Sequence, residues 1–263
     1  MKKALEKEWT AVLKKEEKLH DRVMKQKNAE WKENLEGKIP DKARKGLEAA
    51  FGKAFEIVFT KGTSVIEKSY QKEEAFDEHK IRDYAIRARG AGKDFRALKN
   101  TVRKSEYVNT AATFAEGVGL GLFGIGLPDI VLFVGMLLRG IYQIAAKYGY
   151  DTEDEFEKSF ILKLMETSLQ KGKAWEKGDE EAEAFVKNVV SELSEKELKQ
   201  QIQETARIFA MDMLLLKFIQ SLPAVGVVGG ISNPFYYRKI MDYAELKYRK
   251  RYLYSLKEKE QGE

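Results

Sequence analysis

The sequence predicts an all-α protein: a compact multi-helix bundle with two glycine-rich apolar helical hairpins packed in the core. Three observations carry this. Apolar residues recur at three- and four-residue steps through most of the chain, and short alternating runs of the strand type are missing. Helix-start signatures of the T-x-x-E and S-x-x-E kind stand at the breaks between periodic segments. A length of 263 residues, 43% of them hydrophobic, suffices to bury one substantial core, and a single domain over residues 1–263 is expected.

Residues 1–40 begin with an amphipathic helix in which Leu5, Trp9, Val12, Leu19 and Val23 line one face among Lys and Glu. After "GKIP", where Pro40 suits a first helical turn, Leu47, Phe51, Ala54, Phe55 and Val58 continue the period. Gly62-Thr63 reads as a break, and a third helix is predicted from about Ser64 to about Arg89, ended by "GAG" at 90–92. Residues 94–116 read as helix leading into "GVGLGLFGIGLPDIVLFVGMLL" (117–138), within which Asp129 is placed to cap a helix running to about Tyr148. "YGYDTEDEF" then offers a turn at Gly149 and a capping box from Thr152 to Glu155, with a helix to follow. A second box, Ser194 to Glu197, starts a long helix over 195–221 that stops near Pro223. After "AVGVVGGIS", Asn233 and Pro234 suit the cap and first turn of a last helix through about Lys257. In it Tyr237, Ile240, Ala244, Tyr248 and Tyr252 form one apolar stripe, which leaves Arg238, Lys239, Arg249 and Lys250 on the exposed side.

The stretch 117–138 is long enough to cross a bilayer, yet it holds six glycines and Pro128-Asp129 near its middle. Glycines four apart, Gly117/Gly121 and Gly226/Gly230, let another backbone approach closely, in lipid and in a protein core alike. Asp212 and Lys217 interrupt the second apolar segment in the same way. The core reading is favoured, with a membrane-embedded hairpin and a segment exchanging between the two as alternatives. Each segment precedes a helix with R-x-I-x-x-x-A, formed by Arg139, Ile141, Ala145 and by Arg238, Ile240, Ala244.

Several chemistries are set aside. With no cysteine there is no disulfide frame, thiolate site or cysteine nucleophile, and the composition fits a reducing compartment. His20 and His79 are the only histidines, too few for a His-rich zinc site. "GLGLFG" (119–124) matches G-x-G-x-x-G but follows a helical segment and lacks an acidic residue near 140–147, so it is not read as a dinucleotide site. "DTEDE" (151–155) lacks the glycine and terminal glutamate of a calcium loop. No catalytic motif is found, and no cofactor or metal is predicted.

Charge is unevenly placed. Residues 80–104 carry nine Lys/Arg against Asp83 and Asp94, and residues 238–251 carry six against two acids, while acids gather in "DTEDEFE" (151–157) and "EKGDEEAE" (176–183). Such segments either are solvated helix faces or meet an anionic surface. The surface-binding candidates are Arg87, Arg89, Lys93, Arg96, Lys99, Arg103 and Lys104. Asp129, Arg139 and Asn233 are candidates for helix caps or for polar groups lining an apolar ligand pocket.

The combination "GLPDIVLFVGMLLRGIYQIAAKYGYD" (126–151), "LPAVGVVGGISN" (222–233) and a basic aromatic helix ending "YRKRYL" resembles the EcsC protein family. Gly126, Leu127, Pro128, Asp129, Arg139, Ala145, Tyr148 and Gly149 correspond to its first pattern, and Pro223, Gly226, Gly230 and Asn233 to its second. Pro234 departs from that pattern, and the resemblance is read over 90–257. The family's founding member is encoded beside an ABC transporter, so the resemblance implies a setting near a bacterial membrane, with such a transporter as a candidate partner, and no established catalytic activity. The expected function is therefore that of a non-enzymatic cytoplasmic protein, peripheral to the inner face of the membrane, which binds anionic lipid or a membrane partner. A pocket-containing carrier or hydrolase for an amphiphile or peptide is the alternative, and a nucleic-acid partner is less favoured than either.

Overall fold

In the computed structural model, the backbone is described for residues 2–25, 37, 39–59, 66–67, 69–117, 127–190, 194–220 and 232–262. The side chains of these are described apart from 105–117, 127–129, 216–220, 232–235 and 261–262. All regular structure among them is helical: α1 (Lys2–Lys25), α2 (Asp41–Ile57), α3 (Lys72–Arg89), α4 (Gly92–Gly117), α5 (Leu127–Lys147), α6 (Glu155–Leu169), α7 (Gly172–Val186), α8 (Glu195–Gln220) and α9 (Ser232–Gly262). Residues 118–126 and 221–231 of the two predicted glycine-rich hairpins, with Gly121, Gly226 and Gly230 of the G-x-x-x-G steps, lie outside the described residues; of the first stretch, the Gly117 backbone ends α4 and 127–138 belong to α5.

The C-terminal helix α9 is the axis of the bundle, packed by α1, α4, α5, α6 and α7. The pair α2 and α8 closes the far side against α5 and α6, and α3 rests on α4 and α5. Where α2, α5 and α8 meet, Phe51, Phe55, Phe133 and Phe209 form a ring cluster, with centroid separations of 5.6 Å for Phe51–Phe209 and 5.7 Å for Phe55–Phe209. Their geometries are tilted or edge-on, which favours aromatic pairs beyond the area they bury. The two R-x-I-x-x-x-A helices, α5 and α9, cross at Gly140, where a Cβ would meet Met241 Sδ and Tyr237 Oη at 2.6 Å. Ile141, Ala145, Ile240 and Ala244 are all fully buried at this crossing.

Several helix ends match their local signals. Ser194 and Glu197 form the reciprocal box, with the Ser194 backbone N–H donating to Glu197 at 2.8 Å and Glu197 N–H to Ser194 Oγ at 3.4 Å. Gly149, at φ 85°, closes α5: its N–H donates to Ala146 and the Tyr150 N–H to Ala145, satisfying two end carbonyls. Other ends correct the sequence reading. The third helix starts at Lys72, because Gln71 adopts a left-handed φ of 56° and interrupts the chain. Asp154, not Thr152, caps α6 by accepting from Phe156 N–H, while Thr152 turns inward and donates to Glu67 at 3.2 Å. One predicted helix after Gly149 is two, α6 and α7, separated where Gly172 takes a φ of 53°. The helix holding Asp129 starts at Leu127, three residues earlier than a cap at Asp129 requires.

Candidate functional site

The two basic segments meet opposite fates. In α9 the Tyr237–Ile240–Ala244–Tyr248–Tyr252 stripe is buried as predicted, but so is the helix's charged side. Arg249 and Lys250, expected to be exposed, are 6% and 8% exposed, and Lys247 is fully buried. The reason is that α1 and α7 bring acids to them. Lys247 Nζ pairs with Glu16 at 2.8 Å and with Asp179 at 2.9 Å, and it also pairs with Glu183. Lys250 shares Glu16 and Glu183, and Arg249 pairs with Glu8. Arg251 pairs with buried Glu157 at 2.7 Å and lies over the Tyr150 ring at 4.1 Å. The acidic run 176–183 and the basic run 238–251 therefore neutralise each other inside the protein, and only Arg238 of this segment is strongly exposed among its arginines.

The segment 80–104 folds into an α-helical corner. Gly90 caps α3 at φ 58°, with its N–H on Ile86 O at 2.7 Å, and α4 begins at Gly92. Of the seven predicted surface cations, two are exposed but paired with aspartates and a third is half-buried. Arg87 pairs with Asp83 at 2.6 Å, and Asp83 also accepts from Tyr252 at 2.7 Å. Burial opposes ionisation of Asp83, yet these two partners outweigh it and hold its carboxyl below the usual range. Arg89 donates to Asp94 at 2.7 Å. Lys99 is half-buried near Arg249, and burial together with that like charge lowers its affinity for a proton.

The other four, Lys93, Arg96, Arg103 and Lys104, behave differently. Steps of three, seven and one place them on one helical face, all exposed, with Asn100 between them. Phe95, Leu98 and Val102 occupy the opposite, buried face. The only acid from Gly92 to Lys104, Asp94, is itself buried and taken by Arg89. None of the four cations pairs with an acid among the described residues. Among the described residues, the face thus presents four positive charges without an acid partner over three turns of one helix.

Arg139 donates through Nη2 to the Ser69 carbonyl at 3.0 Å, and its Nε is buried without a hydrogen-bond partner. The side chains of Asp129 and Asn233 lie outside the described residues, so the three-residue pocket predicted from sequence is represented here by Arg139 alone.

Two clusters carried no signal in the sequence. Glu67, Asp151 and Glu153 converge closely enough to share a cation, and the cation at their centre is Lys72, whose Nζ donates to them at 2.8, 2.9 and 3.2 Å. Burial works against the ammonium there, but the three carboxylates raise its pKa above the ordinary lysine value. Asp151 and Glu153 lie about 80 positions from Lys72 in the chain, which is why no spacing rule finds the cluster. At the start of α9, Tyr236 donates to Asp212, and one turn on burial pushes Lys239 down to about 8.

Among the described residues one helix, α5, is long and apolar enough over Ile130–Lys147 to cross a membrane, and 61% of that stretch is buried, as in the core helix of a bundle. The model of the EcsC protein family matches residues 3–253, reaching back over the N-terminal helices that no motif signalled. Protein EcsC of Bacillus subtilis (strain 168) is 24% identical over 220 residues, which cover 82% of this chain and 78% of that protein. No solved structure matches.

Proposed function

The chain belongs to the EcsC protein family, and from that premise we propose that it is a non-enzymatic protein of the cytoplasmic membrane face, holding anionic lipid headgroups on the outer face of α4. The observation that supports this is subtraction. The basic side of α9 meets acids of α1, α6 and α7, and Lys72 meets those of the 151–153 turn, whereas Lys93, Arg96, Arg103 and Lys104 pair with no acid among the described residues. Each cation near an anionic leaflet contributes about 1 kcal/mol, so four on one face contribute about 4 kcal/mol at low ionic strength. That attraction decays within a Debye length of about 8 Å in physiological salt, so the face must lie close to the headgroups.

Co-flotation of the purified protein with vesicles of phosphatidylglycerol and phosphatidylcholine, against phosphatidylcholine alone, tests the proposal. Binding to the anionic vesicles that falls steeply as salt is raised is the expected result. Equal binding to neutral vesicles, or none to either, contradicts it.

A further inference from the structure

Resting on the membrane-surface reading above, we infer that Ile81 and Tyr84 form an anchor that lodges the α3–α4 corner in the headgroup layer of an anionic bilayer. Both are large and apolar, both stand in the open at 67% and 75% exposure, and a three-residue step puts them side by side on the outer face of α3. Exposed apolar residues scattered singly are ordinary on soluble proteins. What distinguishes this pair is its surroundings. Going along the outer face, Glu73, Glu74 and Asp77 come first, then Lys80, Ile81, Tyr84, Arg87 and Ala88, then the Gly90 corner, and after it Lys93 and Arg96. Charge changes sign along the helix, so an anionic surface repels the start of α3 and attracts its end, and the helix approaches corner first. The apolar pair sits at the attracted end.

The side chains suit the depth this gives them. A tyrosine ring buries in the interface with its hydroxyl in water, and an isoleucine one turn away reaches the acyl boundary. The opposite face of α3 holds the pair outward. His79 Nδ1 donates to the Lys147 carbonyl at 3.0 Å, and Asp83 accepts from Tyr252. An inserted pair therefore carries the bundle with it.

The chain has no cysteine, so Ile81→Cys supplies a single thiol and leaves Tyr84 in place. We would label it with an environment-sensitive fluorophore and label Lys196→Cys, exposed in the first turn of α8, as the reference. Flotation and emission are read on the same samples with anionic and neutral vesicles. The expected result is a blue shift and loss of iodide quenching at position 81 with anionic vesicles only, and no change at 196. Flotation with the 81 label still quenched overturns the anchor and leaves the α4 reading standing, whereas failure to float overturns both. The Ile81→Ser, Tyr84→Ser double variant removes no described internal contact, and its urea midpoint is expected to match that of the unaltered protein. It is expected to weaken binding to anionic vesicles about tenfold, from the apolar area no longer buried, and unchanged affinity contradicts the anchor.

Discussion

Gly149 shows how a single position ties a local rule to the packing around it. Its φ of 85° strains any L side chain, and a Cβ would run into the His79 ring. Gly149→Ala is therefore expected to lose more than about 1 kcal/mol of stability in urea denaturation, and an unchanged midpoint contradicts the geometry. Lys247 shows the opposite case, in which no local rule applies. Lys247→Met leaves Glu16 and Glu183 to Lys250 alone and Asp179 with the Tyr243 hydroxyl but no paired cation among the described residues, and a loss of about 3–5 kcal/mol is expected. Lys257→Met, whose partner Glu6 is 53% exposed, should lose about 1 kcal/mol or less. Equal losses in the two variants contradict the buried network. From sequence, Gly149 was legible because a glycine in a turn announces its reason. Thr152 was misread because its T-x-x-E pattern is local, while the partner that claims its hydroxyl, Glu67, lies 85 positions away.

At the scale of elements, periodicity placed the apolar faces of α1, α2 and α9 correctly, since Leu5, Val12, Phe51, Phe55, Ile240 and Tyr248 are all buried. Periodicity treats the charged side of a helix as solvated, and there it failed for α9, whose second side is covered by α1 and α7. The break between α6 and α7 was missed because its signal is one glycine inside an otherwise helical run. The docking of α3 on the end of α5 carries a pH dependence. His79 is held neutral, its pKa lowered chiefly by burial, with Nδ1–H on the Lys147 carbonyl and Asp83 and Arg87 nearby. The unfolded chain therefore takes up this proton first as pH falls below 6.5, so the contribution is complete above that pH and declines beneath it. Urea midpoints should rise as pH approaches 6.5 from below, and His79→Asn, which keeps a donor for the carbonyl, should flatten that rise. A slope identical in the two proteins contradicts a neutral His79.

At the scale of the whole molecule, the uneven charge of the sequence resolves into complementarity. The acidic runs at 151–157 and 176–183 were visible as composition, but only the fold shows that they face Lys72, Arg251, Lys247 and Lys250. Of the seven cations marked in the sequence, the fold gives Arg87 and Arg89 to aspartates and turns Lys99 inward, while Lys93, Arg96, Arg103 and Lys104 pair with no acid among the described residues. A charge run cannot display that partition, because it depends on which helix face the bundle covers. The most direct measurement is the vesicle affinity of a variant with Lys93, Arg96, Arg103 and Lys104 all changed to Gln, set beside the unaltered protein across a salt series. At about 1 kcal/mol per charge, the variant should bind anionic vesicles on the order of a thousandfold more weakly at low salt and lose most of its salt dependence, with its urea midpoint unchanged. An affinity and salt slope equal to those of the unaltered protein would contradict the assignment of this face.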